Sequence, residues 1–247
     1  MRTVVATRYV TPLREGGSLP GLVEADDDGL YVLKFRGAGQ GPKALIAEVV
    51  CGELGRALGL PVPELVLAAV DPALGRAEPD PEIQELIAAS GGRNVGLDFL
   101  PSALPFVPGA GDPPEPALAA AIVWFDALCM NVDRTPRNPN LLVWHRRLWL
   151  IDHGAALYVH HAWSDPAAEA RRAFPAIRDH VLLGAAGSVL EADARLAPRV
   201  DRAMLEAAVA AVPDEWLGGA DRADYVTFFE TRLREPRAFA AEADDAR

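Results

Sequence analysis

The sequence predicts an α+β fold of two lobes, a β-rich N-terminal lobe with one helix and a mainly helical C-terminal lobe. β-branched and aromatic runs separated by glycine-rich turns crowd the first hundred residues. The segment PSALPFVPGAGDPPEP, with six prolines and two glycines, then breaks the pattern. Beyond it the apolar spacing is helical except for one hairpin-like stretch. The expected boundaries are an N-terminal lobe at 1–103, a linker at 104–116 and a C-terminal lobe at 117–247. A cleft is expected between the lobes.

The elements follow in order. TVVATRYV and GLYVLKF read as strands, with REGGSLPG and ADDDG as turns. In PKALIAEVVCGELGRALG, Leu45, Val49, Leu54 and Leu58 share one apolar stripe of a helix. Gly59 suits the position after its last turn, and Pro61 stops it. VPELVLAAV is another strand, DPALGRAEPDPEIQELIAAS holds one short helix, and NVGLDFL is a strand. Helices are expected at 117–130, 165–184, 201–212 and 222–235, and a hairpin in PNLLVWHRRLWLID.

Composition narrows the function classes. A chain of 247 residues, half of them hydrophobic, can bury a sizeable core. Its net charge of −11 gives the long-range field the wrong sign for nucleic acid or anionic membranes. A local basic pocket for phosphate remains compatible with that charge. Cys51 and Cys129 lie in apolar helical contexts and read as two buried thiols of a reducing cytoplasm. No signal peptide is visible, and the longest apolar run, ALAAAIVWFDALCM, is too short to span a bilayer and is interrupted by Asp126. The expectation is a cytoplasmic protein without membrane insertion or direct nucleic-acid binding.

The chemistry concentrates in NVDRTPRNPNLLV, directly behind the most apolar helix. Pro136 and Pro139 keep this stretch out of regular helix. The following hairpin folds back and ends in IDHG. Oxygen ligands at Asn138 and Asp152 can therefore converge on one hard cation such as Mg²⁺, with phosphate and water completing its shell. Asp133 would stand beside it, orienting a hydroxyl and accepting its proton. In the N-terminal part, Lys34 lies within the apolar YVLKF, where a buried ammonium requires an anion. Glu48 interrupts ALIAEVV on the next helix and is its natural partner. EGGSLPG can present backbone N–H groups to phosphates. Arg134 and Arg137 can neutralise phosphate or pair with acidic residues such as Asp126, and the sequence leaves both readings open. His153, His160 and His161 match no common zinc spacing.

Glycine-rich loop, strand lysine, helix glutamate, Asp-x-x-x-x-Asn and a metal aspartate before glycine resemble the protein-kinase-like machinery, in the right order. Asn131 stands where ordinary protein kinases carry histidine, Asp-His-Gly replaces the phenylalanine-containing version, and no Ala-Pro-Glu motif follows. NVDRTPRNPNLL, LWLIDHG and ALGLPVPE resemble the HipA-like kinase family, in particular its shorter branch without the extra N-terminal domain. Phosphatidylinositol-kinase-like enzymes share part of this style.

The resemblance covers most of residues 1–160 and implies a protein-kinase-like bilobal fold with ATP and Mg²⁺ as cofactors. It implies that Lys34 holds the α/β-phosphates, Glu48 positions Lys34, and Asp133 is the catalytic acid or base. Asn138 and Asp152 would hold Mg²⁺, and Gly16, Gly17 and Ser18 would cover the phosphates. The adenine would lie near Leu97, Phe99 and Leu100. A protein serine or threonine is the favoured acceptor, with lipid or small-molecule hydroxyls open, and a regulatory or antitoxin-like partner is conceivable. The competing class, a nucleotide-binding pseudokinase acting as regulator or scaffold, is opposed by the joint presence of Lys34, Asp133, Asn138 and Asp152.

Overall fold

A computed structural model describes residues 1–13, 19–39 and 41–247. It begins with β1 (Arg2–Pro12), β2 (Gly21–Ala25) and β3 (Leu30–Lys34), followed by α1 (Gly41–Ala57), β4 (Leu65–Val70), α2 (Pro81–Ala89) and β5 (Gly92–Asp98). The five strands close a barrel in the order β1-β2-β3-β5-β4, with β1 and β4 parallel and the other pairs antiparallel. β2 is an element the sequence does not announce. It has only five residues, and its alternating burial rests on Gly21, Val23 and Ala25, two of which are poor strand formers.

Alternation along β4 and β5 divides the apolar interior in two. Val66 and Ala68 point into the barrel with Val4, Val23, Tyr31 and Leu33. Leu65, Leu67, Val95 and Leu97 point outward into a larger core that continues through α1 to the C-terminal helices. α1 lies close on this face: a Cβ at Gly52 would come within 2.8 Å of Leu65 Cδ2. The helix ends as the sequence predicts. Gly59 adopts φ +82°, and the N–H of Leu60 returns to the Gly55 carbonyl at 2.9 Å.

The second sheet is small. β6 (Leu104–Pro105) adds an edge to the hairpin of β7 (Leu141–Trp144) and β8 (Arg147–Leu150), so the first residues of the expected linker are paired strand. The Trp144 indole N–H donates to the Pro101 carbonyl at 2.9 Å and holds that junction.

Helices make up the remainder: α3 (Pro116–Cys129), α4 (Pro166–Ala170), α5 (Val189–Leu196), α6 (Arg202–Ala210), α7 (Asp214–Leu217), α8 (Arg222–Arg232) and α9 (Ala238–Asp245). The helix expected at 165–184 is a correction. Only α4 is α-helical there, and single 3-10 turns at Pro175–Asp179 and Leu183–Ala185 follow it. Pro175 cannot continue a helix, because it lacks the N–H and clashes with the preceding turn. α5 is absent from the sequence expectations. It is anchored by Asp193, which accepts from Trp124 Nε1 at 2.7 Å and pairs with Arg237 at 2.8 Å. Among the described residues no helix is long and apolar enough to cross a membrane.

Buried Arg232 on α8 fixes the end of α3, which leads into the polar loop. Its Nε and Nη2 donate to the Ala127 carbonyl at 3.2 and 2.7 Å, and Nη1 donates to the Ala170 carbonyl at 2.9 Å. These carbonyls are helix-end acceptors that need donors. Arg232→Met should therefore lower stability by about 2–4 kcal/mol, read from the urea midpoint at unchanged m-value.

Candidate active site

Three segments meet at Lys34. β3 ends at this residue, so its side chain emerges at the barrel rim with only 9% of the residue exposed. Its Nζ donates to Glu48 Oε2 and to Asp152 Oδ1, both at 2.6 Å. Glu48 is fully buried on α1, and the backbone N–H of His153 donates to the same Oε2 at 2.8 Å. Burial opposes the charge on Glu48, but Lys34 and His153 outweigh it and hold the carboxyl down at about 2. Burial likewise disfavours the Lys34 ammonium, yet Asp152 and Glu48 raise it above the ordinary lysine value. A charged triad results, joining strand, helix and the segment after β8.

Asp152 stands at φ +56°, a left-handed conformation that aspartate tolerates better than most residues. The turn aims its carboxylate at Lys34 and leaves the side chain 37% exposed. His153 turns the other way, buried edge-on against Phe125 at 6.1 Å. Its ring is packed in the interior rather than turned toward Lys34.

The polar loop is braced around Asp133. Asn131 accepts the Asp133 N–H at 3.1 Å, and its own amide donates to Asp126 at 3.0 Å. Asn138 Nδ2 donates to Asp133 Oδ2 at 2.8 Å. Reciprocal backbone bonds of 3.1 Å between Thr135 and Asn138 close a tight turn with Pro136 and Arg137 at its tip. Asn140 adds Nδ2 contacts of 3.2 Å to both the carbonyl and Oδ2 of Asp133.

The two arginines part company. Arg134 is buried, donating from Nε to Asp126 Oδ2 at 2.5 Å and from Nη1 to the carbonyls of Asn140 and Ile151. The ion-pair reading holds for it. Arg137 is exposed. Asp126 also accepts from His180 Nε2 at 2.9 Å, and the Leu182 N–H at His180 Nδ1 fixes that tautomer. Arg134 and His180 hold the Asp126 carboxyl well below the usual carboxylate range against the opposing effect of burial.

His180 and Asn140 are the site residues that sequence reasoning did not assign, and Asp126 entered only as a possible partner of Arg134. Asp126 carried a usable signal, a charge inside an apolar run. His180 did not, since its partner lies 54 residues away.

Gly16, Gly17 and Ser18 lie outside the described residues. Leu97 and Leu100 are buried in or beside the core, whereas Phe99 is half-buried with its N–H donating to the Leu30 carbonyl at 2.9 Å. His160 and His161 lie in a 3-10 turn whose carbonyls accept from Lys43 Nζ at 2.7 and 3.0 Å, tying α1 to this segment. Burial pushes the His160 imidazole down to about 3. Among the described residues, no group of three or more His, Cys, Asp or Glu side chains is placed to hold a metal ion.

The family model for HipA-like kinases matches residues 7–235. The chain belongs to the HipA-like kinase family. No curated relative matches the sequence. A solved structure, that of the Helicobacter pylori proinflammatory kinase CtkA, resembles this HipA-like kinase with a TM-score of 0.58 and 13% identity. The match covers 97% of this chain and 96% of that one. At that identity the likeness speaks for the fold alone. A kinase-type phosphotransferase is thus the activity class to which the family membership points.

Proposed function

We propose that the protein transfers the γ-phosphoryl group of ATP to a hydroxyl, with a serine or threonine of a protein as the favoured acceptor. The observation that carries this reading is the Lys34 triad: one ammonium bridges Glu48 and Asp152 at 2.6 Å each. That arrangement brings the expected phosphate-binding lysine to the expected metal aspartate across 118 residues of sequence. The chain divides, in this reading, into an N-terminal lobe at 1–103, a linker at 104–116 and a C-terminal lobe at 117–247.

Lys34 would contact the α/β-phosphates while Glu48 holds it in place. Asp133 orients the acceptor hydroxyl and takes its proton. Gly16, Gly17 and Ser18 would cover the phosphates, and the adenine would lie near Leu97 to Leu100. The donor chemistry fits Mg²⁺: Asp152 offers a partly exposed carboxylate, and the loop offers asparagine oxygens, assigned by spacing to Asn138. Two hard protein oxygens are a sparse shell that phosphates and water complete. When bound, the ion would neutralise charge on the transferring phosphoryl group. The protein acceptor is favoured by the family resemblance, and the net charge of −11 disfavours an anionic lipid surface.

Incubation of the purified chain with γ-labelled ATP, Mg²⁺ and a cell lysate tests the reading. Label is expected in protein with the wild type and is expected to vanish with Asp133→Ala and Asp152→Ala. Nucleotide binding without transfer to self, peptide or lysate would overturn it.

A further inference from the structure

Helix α1 is held unevenly along its length. Its second half is tightly packed: a Cβ at Gly52 would come within 2.8 Å of Leu65, and one at Gly55 within 3.3 Å of Phe125. Its first turn, residues 41–44, is only half-buried. The stretch GAGQGP leads into it, and a Cβ at Gly39 or Gly41 would meet nothing within 4 Å. Lys43 attaches this end. Its Nζ donates to the carbonyls of His160 and His161 at 2.7 and 3.0 Å, across 117 and 118 residues of sequence. Those carbonyls close a 3-10 turn (Tyr158–His161), where acceptors run out of donors within the turn. Glu48 lies between the two ends of α1. Its Oε2 takes Lys34 and the His153 N–H, while its Oε1 is buried without a hydrogen-bond partner. The carboxylate is thus held through one oxygen, and its alignment depends on where α1 sits relative to residues 152–161.

We propose that Lys43 is a positioning residue: by holding the start of α1 on residues 160–161 it keeps Glu48 aligned with Lys34. The consequence for the nucleotide rests on the kinase reading above; the attachment itself does not. Three links run along this seam: Lys34 to Asp152, the His153 N–H to Glu48, and Lys43 to the two carbonyls. The first two are made by groups of the site, and Lys34 and Asp152 have work to do there. Lys43 stands apart from that chemistry, so its hold persists when the inner contacts are exchanged. A Cβ at Gly154 would meet Ala44 only at 3.6 Å or beyond, an ordinary contact with no directional hold, and it cannot replace the two hydrogen bonds. Without Lys43, α1 swings about its packed second half. Glu48 follows Lys43 by about 7.5 Å along the helix axis, so it moves with that swing and its single oxygen leaves Lys34. Nucleotide then meets a population in which Lys34 is partly misplaced, and its apparent affinity falls with the competent fraction.

Amide hydrogen exchange on the full chain without ligand tests the attachment, comparing the wild type with Lys43→Met and Lys43→Arg. Lys43→Met keeps the stem and removes the donors. Amides of residues 44–50 and 153–161 should then exchange about tenfold faster, the factor for one charge-assisted hydrogen bond. Those of α3 and α8 should stay within about twofold of wild type, because the opening is local. Lys43→Arg keeps donors for both carbonyls and should return most of the protection. Binding of a nonhydrolysable ATP analogue should weaken about threefold or more in Lys43→Met and recover in Lys43→Arg. Unchanged exchange of α1 in Lys43→Met overturns the proposal. Equal acceleration across α1, α3 and α8 also overturns it, since that marks a general loss of stability. A loosened α1 with undiminished analogue affinity overturns the positioning role. Failure of the wild type to bind the analogue would bring down the kinase reading alone, and the exchange pattern would still decide whether Lys43 holds α1.

Discussion

Asp133→Asn is expected to lower the rate of phosphoryl transfer about 10²–10⁴-fold, the range for removing a positioned general base. The substitution preserves volume, so the bracing of the loop survives. Oδ2 of Asp133 accepts two amide donors, from Asn138 at 2.8 Å and Asn140 at 3.2 Å. An asparagine here must turn its oxygen toward those donors, which points its NH₂ group at the position where the acceptor hydroxyl would sit. The group facing the hydroxyl then donates and can no longer take a proton. Nucleotide affinity should stay within about threefold of wild type, because Lys34 and Asp152 are untouched and the loss falls on an interaction made in the transition state. Single-turnover transfer from labelled ATP, with calorimetric binding of the nonhydrolysable analogue, separates the two effects. A transfer rate within about fivefold of wild type would remove Asp133 from the proton-accepting role.

Much of this site was legible because charge inside an apolar sequence demands an explanation. Lys34 in YVLKF and Glu48 in ALIAEVV each violate the pattern around them, and the cheapest resolution is to meet, as they do at 2.6 Å. The hairpin was legible from its two apolar runs, and its return fixed where Asp152 would lie relative to the loop. Asp126 violates its helix in the same way. Its arginine partner was one of the two readings the sequence left open, but its histidine partner comes from irregular chain that periodicity does not describe. Asn140 carried no assignment, because only the β7–β8 register shows that it stands beside Ile151.

The fold shows the same division. α1, with a periodic stripe, a terminal glycine and a proline stop, agrees within a few residues. α5 is only eight residues long, yet it opens on Ser188-x-x-Glu191, and Ser188 Oγ accepts the Glu191 N–H at 3.2 Å. That spacing is the first half of a capping box and was readable in advance. β2 offered no comparable signal, since its pairing with β1 and β3 is what makes it a strand. The likeness of Asp152 and Asp133 to a kinase pattern was local, as is the Asp126–Arg134 pair; His180 and Arg232, which complete the scaffold, come from distant chain.

That scaffold predicts the larger stability effect. Arg134→Met is expected to destabilise the fold by about 3–5 kcal/mol, the cost of leaving one member of a buried ion pair alone. Both side chains of the pair are fully inaccessible to solvent, and Asp126 would keep only Asn131 and His180. The carbonyls of Asn140 and Ile151 lose a donor in the same step. Asp126→Leu in the Arg134→Met background should recover part of the loss, because both charges are then gone; a coupling of about 2 kcal/mol or more in the double-mutant cycle would establish the pair. The pH dependence follows from the depressed carboxyl of Asp126. A group with a lowered folded-state pKa contributes fully above its unfolded value, near 4, and the contribution is lost as pH falls below that value toward the folded one. Wild-type stability should therefore fall as pH drops below about 4, and Arg134→Met should show a shallower fall over the same window, because the guanidinium that lowers Asp126 is missing. A loss below about 1 kcal/mol at neutral pH, with an unchanged acid limb, would show that the pair is not what anchors the loop.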